Sequence, residues 1–251
     1  MTIVGANPSL PNRPRSLLPF LGLWVASYLA PLFLTSVAAF LVVLTAYGST
    51  PDGGQSRAAV VWLCLFPSGL AFSQWLLARR YMENPLPWTV ATFGAALLGQ
   101  LANRFVPELT GDTIGNMPQL IWVFGILDRA FGFQIAAATL TEFPPALCYG
   151  VAWSLPQGLA LPRPRSAKIV WIATLMPTGF VLMVMAKALS NELLDASFDY
   201  GYRFWFSTAL AYVLPGLTSW ATLSLVSGSL MYWNLRRSSD AGDVQVYARF
   251  D

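Results

Sequence analysis

The stretch AAVVWLCLFPSGLAFSQWLLA, residues 58–78, decides the fold, because it places 21 uncharged residues in a row between Arg57 and Arg79. A bilayer has a hydrocarbon core about 30 Å thick, and an apolar helix of about 20 residues crosses it. The stretch is therefore predicted to be a transmembrane helix. The whole chain of 251 residues agrees, since 55% of it is hydrophobic and only 11% is charged. Soluble domains carry about 25% charged residues, so the composition argues against a soluble enzyme or a disordered chain.

Five further windows without a charged residue are long enough to cross a bilayer. They lie at 16–51, 84–103, 143–162, 169–186 and 204–235. The stretch 113–141 is also apolar, but Asp128 and Arg129 interrupt it. It is therefore either a seventh crossing or a segment that lies at the membrane surface or dips into the membrane and returns.

The positions of the basic residues favour six crossings over seven. Basic residues cluster at the borders of the windows: Arg13 and Arg15, Arg79 and Arg80, Arg163, Arg165 and Lys168, and Arg236 and Arg237. Such residues accumulate on the cytoplasmic side of membranes, and six crossings put all four clusters there. We therefore predict an all-α integral membrane protein with about six transmembrane helices in repeated hairpins and both termini cytoplasmic.

The predicted organisation has three parts. Residues 1–15 and 238–251 are expected to be disordered cytoplasmic tails, and residues 16–237 to form the helical bundle. Within the bundle, 117–138 is expected to be interfacial or re-entrant. No cleavable signal peptide is expected, because the first apolar run is far longer than the apolar part of such a peptide.

An internal repeat supports an even number of crossings between its two copies. The same residue types recur at a spacing of 83 residues, first as Gln74, Leu76, Arg80 and Trp88 and then as Gln157, Leu159, Arg163 and Trp171. Each copy is interpreted as a helical hairpin with a basic turn, and the two repeat units span about 58–107 and 141–190.

The end of the first hairpin helix, Gln74-Trp75-Leu76-Leu77-Ala78-Arg79-Arg80, resembles a group of cyanobacterial membrane proteins. Those proteins have repeated Gln-Trp-Leu-x-x-Arg hairpins, each followed by a Trp-rich second helix. The second copy here lacks the Trp after Gln157, and the segment Leu120–Gly132 is similar to the one that precedes the group's second hairpin. The resemblance covers about 58–237. It implies a hairpin fold in a bacterial inner or thylakoid membrane and, by analogy, a photosynthetic or other energy-converting complex as host. The resemblance implies no biochemical activity.

The chain contains no histidine, and this absence removes several kinds of site. Ser-His-Asp and Cys-His catalysis, histidine-bound zinc, and histidine ligation of haem or chlorophyll are excluded. The two cysteines, Cys64 and Cys148, each lie in an apolar run and are interpreted as packing residues. No metal site and no catalytic residue are predicted, and contact with lipid or a carotenoid is left open.

The remaining candidates are polar residues at membrane depth, where such groups are costly and often functional. They are Asp128, Arg129, Glu142, Gln74 and Gln157. Asp128 and Arg129 would form a substrate or proton site or the polar edge of an interfacial helix. Glu142 would begin a helix before Pro144 or form a buried acid that acts with Arg129. The two glutamines would bond neighbouring helices or line a cavity.

Small and aromatic residues carry a second set of predictions. Small residues recur at four-residue spacing at Ala91, Ala95 and Gly99 and at Ser224 and Gly228. They let helices approach closely, and we expect them either to pack inside the bundle or to form a docking face for a partner. Tryptophans near the window ends, such as Trp24, Trp88 and Trp171, are expected in interfacial belts.

The sequence therefore predicts a non-catalytic integral membrane accessory, scaffolding or assembly subunit. Its partners would be the lipid bilayer and other membrane protein subunits, with no nucleic acid. The alternative is a small-molecule transporter or its membrane substrate-binding component, since transporters use repeats and broken helices. An enzyme would have to rely on isolated acids. Convergence of Asp128, Arg129, Gln74 and Gln157 on one cavity would favour transport, and their dispersal would favour a subunit.

Overall fold

The fold was described in a computed structural model, in which residues 14, 16–46, 51–114, 125–130, 132–161, 164–198 and 204–247 are described. The described residues form α-helices joined by short turns, and they contain no strand. The six long helices are α1 (Leu17–Ala46), α2 (Pro51–Ala78), α3 (Leu86–Ile114), α5 (Phe133–Ala160), α6 (Arg165–Phe198) and α7 (Phe204–Tyr247). A short helix, α4, covers 125–130.

Three stretches within these helices are long and apolar enough to cross a membrane. They are Leu17–Val42 in α1, Val60–Ala78 in α2 and Arg165–Leu193 in α6. The apolar part of α3, Leu86–Ala102, is shorter. Because a helix satisfies its backbone hydrogen bonds internally, such stretches can exist in lipid without water. The structure thus supports a helical membrane protein, while six crossings remain a prediction.

The long helices form a closed ring. Each packs against two others, in the order α1, α2, α3, α5, α6, α7 and back to α1. Aromatic contacts put the start of α1, the turn from α2 to α3 and the end of α7 side by side, because the ring of Phe20 lies 5.5 Å from that of Tyr81 and 5.8 Å from that of Tyr232. We call this end of the ring, which also carries the turn from α5 to α6, the basic end after its arginine and lysine residues, Arg79, Arg80, Arg165, Lys168 and Arg236.

Several predicted boundaries differ from the structure. α5 begins at Phe133, so Glu142 lies inside the helix and the prediction that it begins a helix is wrong. The part of the predicted interfacial segment at 133–138 is continuous with α5, and the part at 117–124 lies outside the described residues. The break before α5 is at Gly132, whose φ of +88° is a conformation that glycine adopts without a Cβ clash.

The predicted disorder of the second tail is wrong for residues 238–247, which continue α7. No proline follows Pro215 in α7, so nothing in the backbone chemistry ends the helix at Arg237. Of the predicted amino-terminal tail, only Pro14 is described, and it is not helical.

The interior of the ring is filled by aromatic side chains. The side chains of Trp24, Trp88, Trp153 and Trp171 are each 2% exposed or less. The prediction that Trp24, Trp88 and Trp171 sit in interfacial belts is therefore wrong. A residue near the end of an apolar window can face inward or outward, and only the packing of neighbouring helices decides which.

Candidate functional site

Gln74 is the centre of a hydrogen-bonded chain that joins three helices. Its side chain is fully buried on α2. The amide Nε2 donates to Ser27 Oγ on α1 at 2.5 Å, and the amide Oε1 accepts from Trp88 Nε1 on α3 at 3.3 Å. Ser27 Oγ in turn donates to the backbone oxygen of Trp24 at 2.6 Å. The NH₂ group and the oxygen of the Gln74 amide therefore both have hydrogen-bond partners within the protein, as is usual for a buried polar group.

A second polar contact between α1 and α2 follows from a proline. Pro31 has no backbone N–H, so the carbonyl of Ser27, four residues earlier, loses its helical partner. Ser73 Oγ on α2 donates to that carbonyl at 2.6 Å. Gly69, one turn before Ser73, lies against Pro31, with only 3.3 Å between the position of a Cβ at Gly69 and Pro31 Cβ. The proline is therefore accommodated by a neighbouring helix that comes close and donates a hydroxyl proton.

Gln157 belongs to a separate polar chain near the centre of the ring. Its amide Nε2 donates to Thr92 Oγ1 on α3 at 3.4 Å, and the buried Tyr28 side chain of α1 lies beside it. Tyr28 interacts with Ser227 on α7, whose hydroxyl oxygen accepts from Trp24 Nε1 at 3.0 Å. The two glutamines therefore act as interhelical hydrogen-bonding groups, one of the two roles that the sequence left open.

The corresponding tryptophans of the predicted repeat meet in the core. The rings of Trp88 and Trp171 are 5.3 Å apart and nearly perpendicular, and the rings of Trp24 and Trp88 are 6.0 Å apart. Edge-to-face pairs of this kind stabilise a core beyond their buried area. The two copies differ in their hydrogen bonds, because Trp88 donates to Gln74 whereas the buried Nε1 of Trp171 has no hydrogen-bond partner in the part of the chain that the structure describes. The repeat itself remains a prediction.

The predicted small residues lie inside the bundle. Ala95, Gly99, Ser224 and Gly228 are buried and Ala91 is partly buried. A Cβ on Gly99 would lie 2.8 Å from Trp153 Nε1, and one on Gly228 would lie 2.7 Å from Trp24 Cδ1. These glycines therefore make room for indole rings and do not form an outward docking face.

A closer helix contact was not predicted. Gly150 on α5 and Gly179 on α6 face each other, with a Cβ on Gly179 only 3.1 Å from Gly150 Cα. A Cβ on Gly150 would meet the backbone oxygen of Met176. Gly150 does lie in a stripe of small residues at four-residue spacing, with Ala146 before it and Ser154 after it, so this pattern could have found it. Gly179 has Leu175 and Met183 at the corresponding positions, so the pattern does not find the glycine on the other helix.

The charged candidates lie far from the glutamines. Arg129 is exposed on α4, and its Nε donates to the backbone oxygen of Gly125 at 2.8 Å. Asp128, also on α4, is partly exposed. α4 precedes the start of α5, and Gln157 is 24 residues into α5, about 36 Å away at about 1.5 Å per residue. The five predicted polar residues therefore do not form one site.

Glu142 has a partner of its own. Its carboxylate Oε1 lies 3.7 Å from Lys187 Nζ on α6, and the Lys187 side chain is 48% exposed. We call this contact the α5–α6 ion pair. It replaces the predicted pairing of Glu142 with Arg129.

The structure does contain a cavity, at residues that the sequence did not single out. A cavity of about 660 Å³, which we call the α6–α7 groove, opens on the surface of the ring. It is lined by Gly132 and Ile135, by Leu182, Met185, Ala186, Ala188, Leu189 and Glu192 of α6, and by Thr218, Ser219 and Thr222 of α7. The mixture of a mostly apolar wall with a few polar groups is typical of ligand pockets.

A smaller cavity of about 140 Å³ adjoins the groove on its inner side. The two share Leu182, Ala186 and Ser219, and the inner one reaches Gly99, Gln100, Tyr149 and Trp220 at the centre of the ring. Next to it, the buried indole N–H of Trp153 approaches the Tyr149 hydroxyl but makes no hydrogen bond of acceptable geometry. Among the residues that line the inner cavity, the sequence had singled out Gly99, but only as a small residue for helix packing.

Within the described ranges, no three histidine, cysteine, aspartate or glutamate side chains come together as metal ligands would. Cys64 and Cys148 are both exposed on the surface of the ring, so the prediction that they are packing residues is wrong. No family model, curated protein or solved structure matches the chain.

Proposed function

We propose that the protein is a non-catalytic integral membrane subunit that supports the assembly or architecture of a larger membrane complex. One observation carries this proposal: the polar residues that a transporter would bring together are dispersed. Gln74 and Gln157 are buried and engaged in hydrogen bonds between helices, and neither lines the groove or the inner cavity. Gln157 lies near the end of α5, whereas Asp128 and Arg129 lie on α4, before α5 begins. A polar core that is bonded in this way resists the helix movements that alternating access needs.

The surface of the ring supports the same proposal. Large apolar side chains face outward on several helices, among them Phe33 and Phe40 of α1, Phe72 of α2 and Val90 of α3. Such a surface suits lipid and the transmembrane helices of partner subunits. By the resemblance, the host would be a photosynthetic or other energy-converting complex of a bacterial inner or thylakoid membrane.

We further propose six crossings with both termini on the side of the basic end. The position of the two basic turns at one end of the ring supports an even number of crossings between them. Labelling with a membrane-impermeant thiol reagent tests this in a Cys64→Ser, Cys148→Ser background. Glu83→Cys and Ser166→Cys should react from the same side, and Thr45→Cys from the other. Opposite labelling of the first two would establish a seventh crossing.

Purification from the native membrane tests the subunit proposal. The tagged protein is extracted in two different mild detergents and analysed by native gel, mass spectrometry and absorbance, with untagged cells as the control. We expect the same large complex, with fixed stoichiometry, in both detergents. A monomer or a small homo-oligomer in both would refute the proposal. Transport assays on Asp128→Asn and Arg129→Gln would then test the alternative function.

A further inference from the structure

The α6–α7 groove has a polar lining that accepts hydrogen bonds and does not donate them. Thr218 Oγ1 lies 3.0 Å from the backbone oxygens of both Leu214 and Pro215 and donates its one proton to this pair of acceptors, and Thr222 Oγ1 donates to the backbone oxygen of Thr218 at 2.8 Å. Ser219 Oγ donates to the backbone oxygen of Leu182 at 3.3 Å. A hydroxyl has one proton, so these three groups offer only their lone pairs to a ligand.

Among the described residues of the lining, the one charged group is also an acceptor. Glu192 is exposed at the edge of the groove, and a carboxylate accepts hydrogen bonds without donating any. Among the described residues, no ion pair involves Glu192, and Lys187, five residues earlier on α6, pairs with Glu142. The groove therefore favours a ligand with a positive, hydrogen-donating end, and it disfavours an anionic one.

The length of the groove matches one leaflet of a bilayer. From Leu182 at its inner end to Glu192 at its edge, α6 rises about 15 Å at about 1.5 Å per residue. This is half of the hydrocarbon core, which is about 30 Å thick. The apolar span of α6 ends at Leu193, so Glu192 lies where that span meets the polar headgroups. A chain lying along the groove would thus place its headgroup beside the carboxylate.

We propose that the α6–α7 groove binds one acyl chain of a phospholipid whose headgroup carries a primary ammonium group, with the ammonium against Glu192. The apolar side chains of Leu182, Met185 and Leu189 would contact the chain. Because the groove opens on the surface of the ring, the lipid can enter from the bilayer. The position of Glu192 at a membrane interface rests on the membrane span of α6, and the site does not depend on a partner subunit.

Three lipids with the same acyl chains and different headgroups test which headgroup the groove prefers. Phosphatidylethanolamine has a primary ammonium, phosphatidylcholine has a quaternary ammonium that cannot donate a hydrogen bond, and phosphatidylglycerol is anionic. Lipid bound to the purified full-length protein is counted by native mass spectrometry during titration in detergent. We expect phosphatidylethanolamine to bind about two- to fivefold more tightly than either of the others, the range that an exposed ion pair supports.

Two substitutions, each with a matched control, test whether the lipid binds in the α6–α7 groove with its headgroup beside Glu192. Glu192→Gln should remove the headgroup preference, while Glu83→Gln, at an exposed acid of the basic end, should keep it. Thr222→Trp should fill the groove and remove at least one bound lipid. Ser68→Trp is its control, because Ser68 is likewise exposed and likewise bonded to the carbonyl four residues earlier. Circular dichroism and size-exclusion profiles confirm that each variant is folded.

Several outcomes would overturn the proposal. Equal affinity for the three lipids, or a preference for phosphatidylglycerol, would remove the role of Glu192. Equal lipid loss in Thr222→Trp and Ser68→Trp would indicate lipid around the whole ring and no defined site. Because the titration uses the isolated protein, its failure leaves the subunit proposal untouched, and a monomer in native membranes would leave the lipid site untouched.

Discussion

At Gly150 the backbones of α5 and α6 meet, and replacing this glycine by alanine tests the packing of that helix pair. The added Cβ would meet the backbone oxygen of Met176 and lie 3.3 Å from its carbonyl carbon. A backbone atom cannot turn aside as a side chain can, so the two helices would have to separate. Such overpacking costs about 1–3 kcal/mol, whereas alanine gains about 0.5–1 kcal/mol over glycine in a helix. We therefore expect Gly150→Ala to lower the free energy of unfolding by about 0.5–2 kcal/mol.

Gly94→Ala is the matched control. Gly94 also lies inside a long helix, but nothing comes within 4 Å of the position of its Cβ. The same substitution should therefore raise the free energy of unfolding by about 0.5–1 kcal/mol. Unfolding is followed by circular dichroism at increasing mole fractions of sodium dodecyl sulfate in mixed micelles. The two variants should shift the midpoint in opposite directions, and a stabilised Gly150→Ala would show that the helices do not meet at this glycine.

Three further predictions concern polar contacts, and the same assay measures them. Gln74→Leu should lower the free energy of unfolding by about 1–2 kcal/mol, because the buried indole N–H of Trp88 loses its acceptor; an unchanged midpoint would rule out that bond. Ser73→Ala should cost about 0.5–1 kcal/mol, and clearly less in a Pro31→Ala background, where the restored backbone N–H takes up the carbonyl; equal costs in both backgrounds would contradict this coupling. Glu142→Gln should cost about 1 kcal/mol or less, since its lysine partner is half exposed, and the cost should shrink with added salt; a larger, salt-insensitive loss would show that the pair is shielded from solvent.

The helical class was readable from the sequence because it depends on composition and on the lengths of the charge-free windows. The position of α2 is an example, since its apolar span Val60–Ala78 falls within the quoted stretch 58–78. Helix ends were less predictable. Glu142 and Pro144 have the chemistry of a helix start, but the helix begins at Phe133 because the backbone break is at Gly132. The proline is tolerated inside the helix.

The site was less predictable than the fold. Gln74 and Gln157 were identified correctly as polar groups at membrane depth, but the sequence left their role open. Their role depends on the partners Ser27, Trp88 and Thr92, which are 14 to 65 residues away. The groove was not predicted at all, because its lining comes from three helices and no local pattern connects them.

The sequence by itself therefore determined that the chain is helical and apolar, and that it has no histidine for the usual ligand and catalytic roles. These properties follow from residue types and from the fixed rise of a helix. Only the tertiary structure decided which faces of the helices turn inward. It put Trp24, Trp88 and Trp171 into one core, separated Asp128 and Arg129 from the glutamines, and left a groove between α6 and α7. In lipid, outward and inward faces are both apolar, so hydrophobicity alone cannot orient a helix, and close packing and interhelical hydrogen bonds have to.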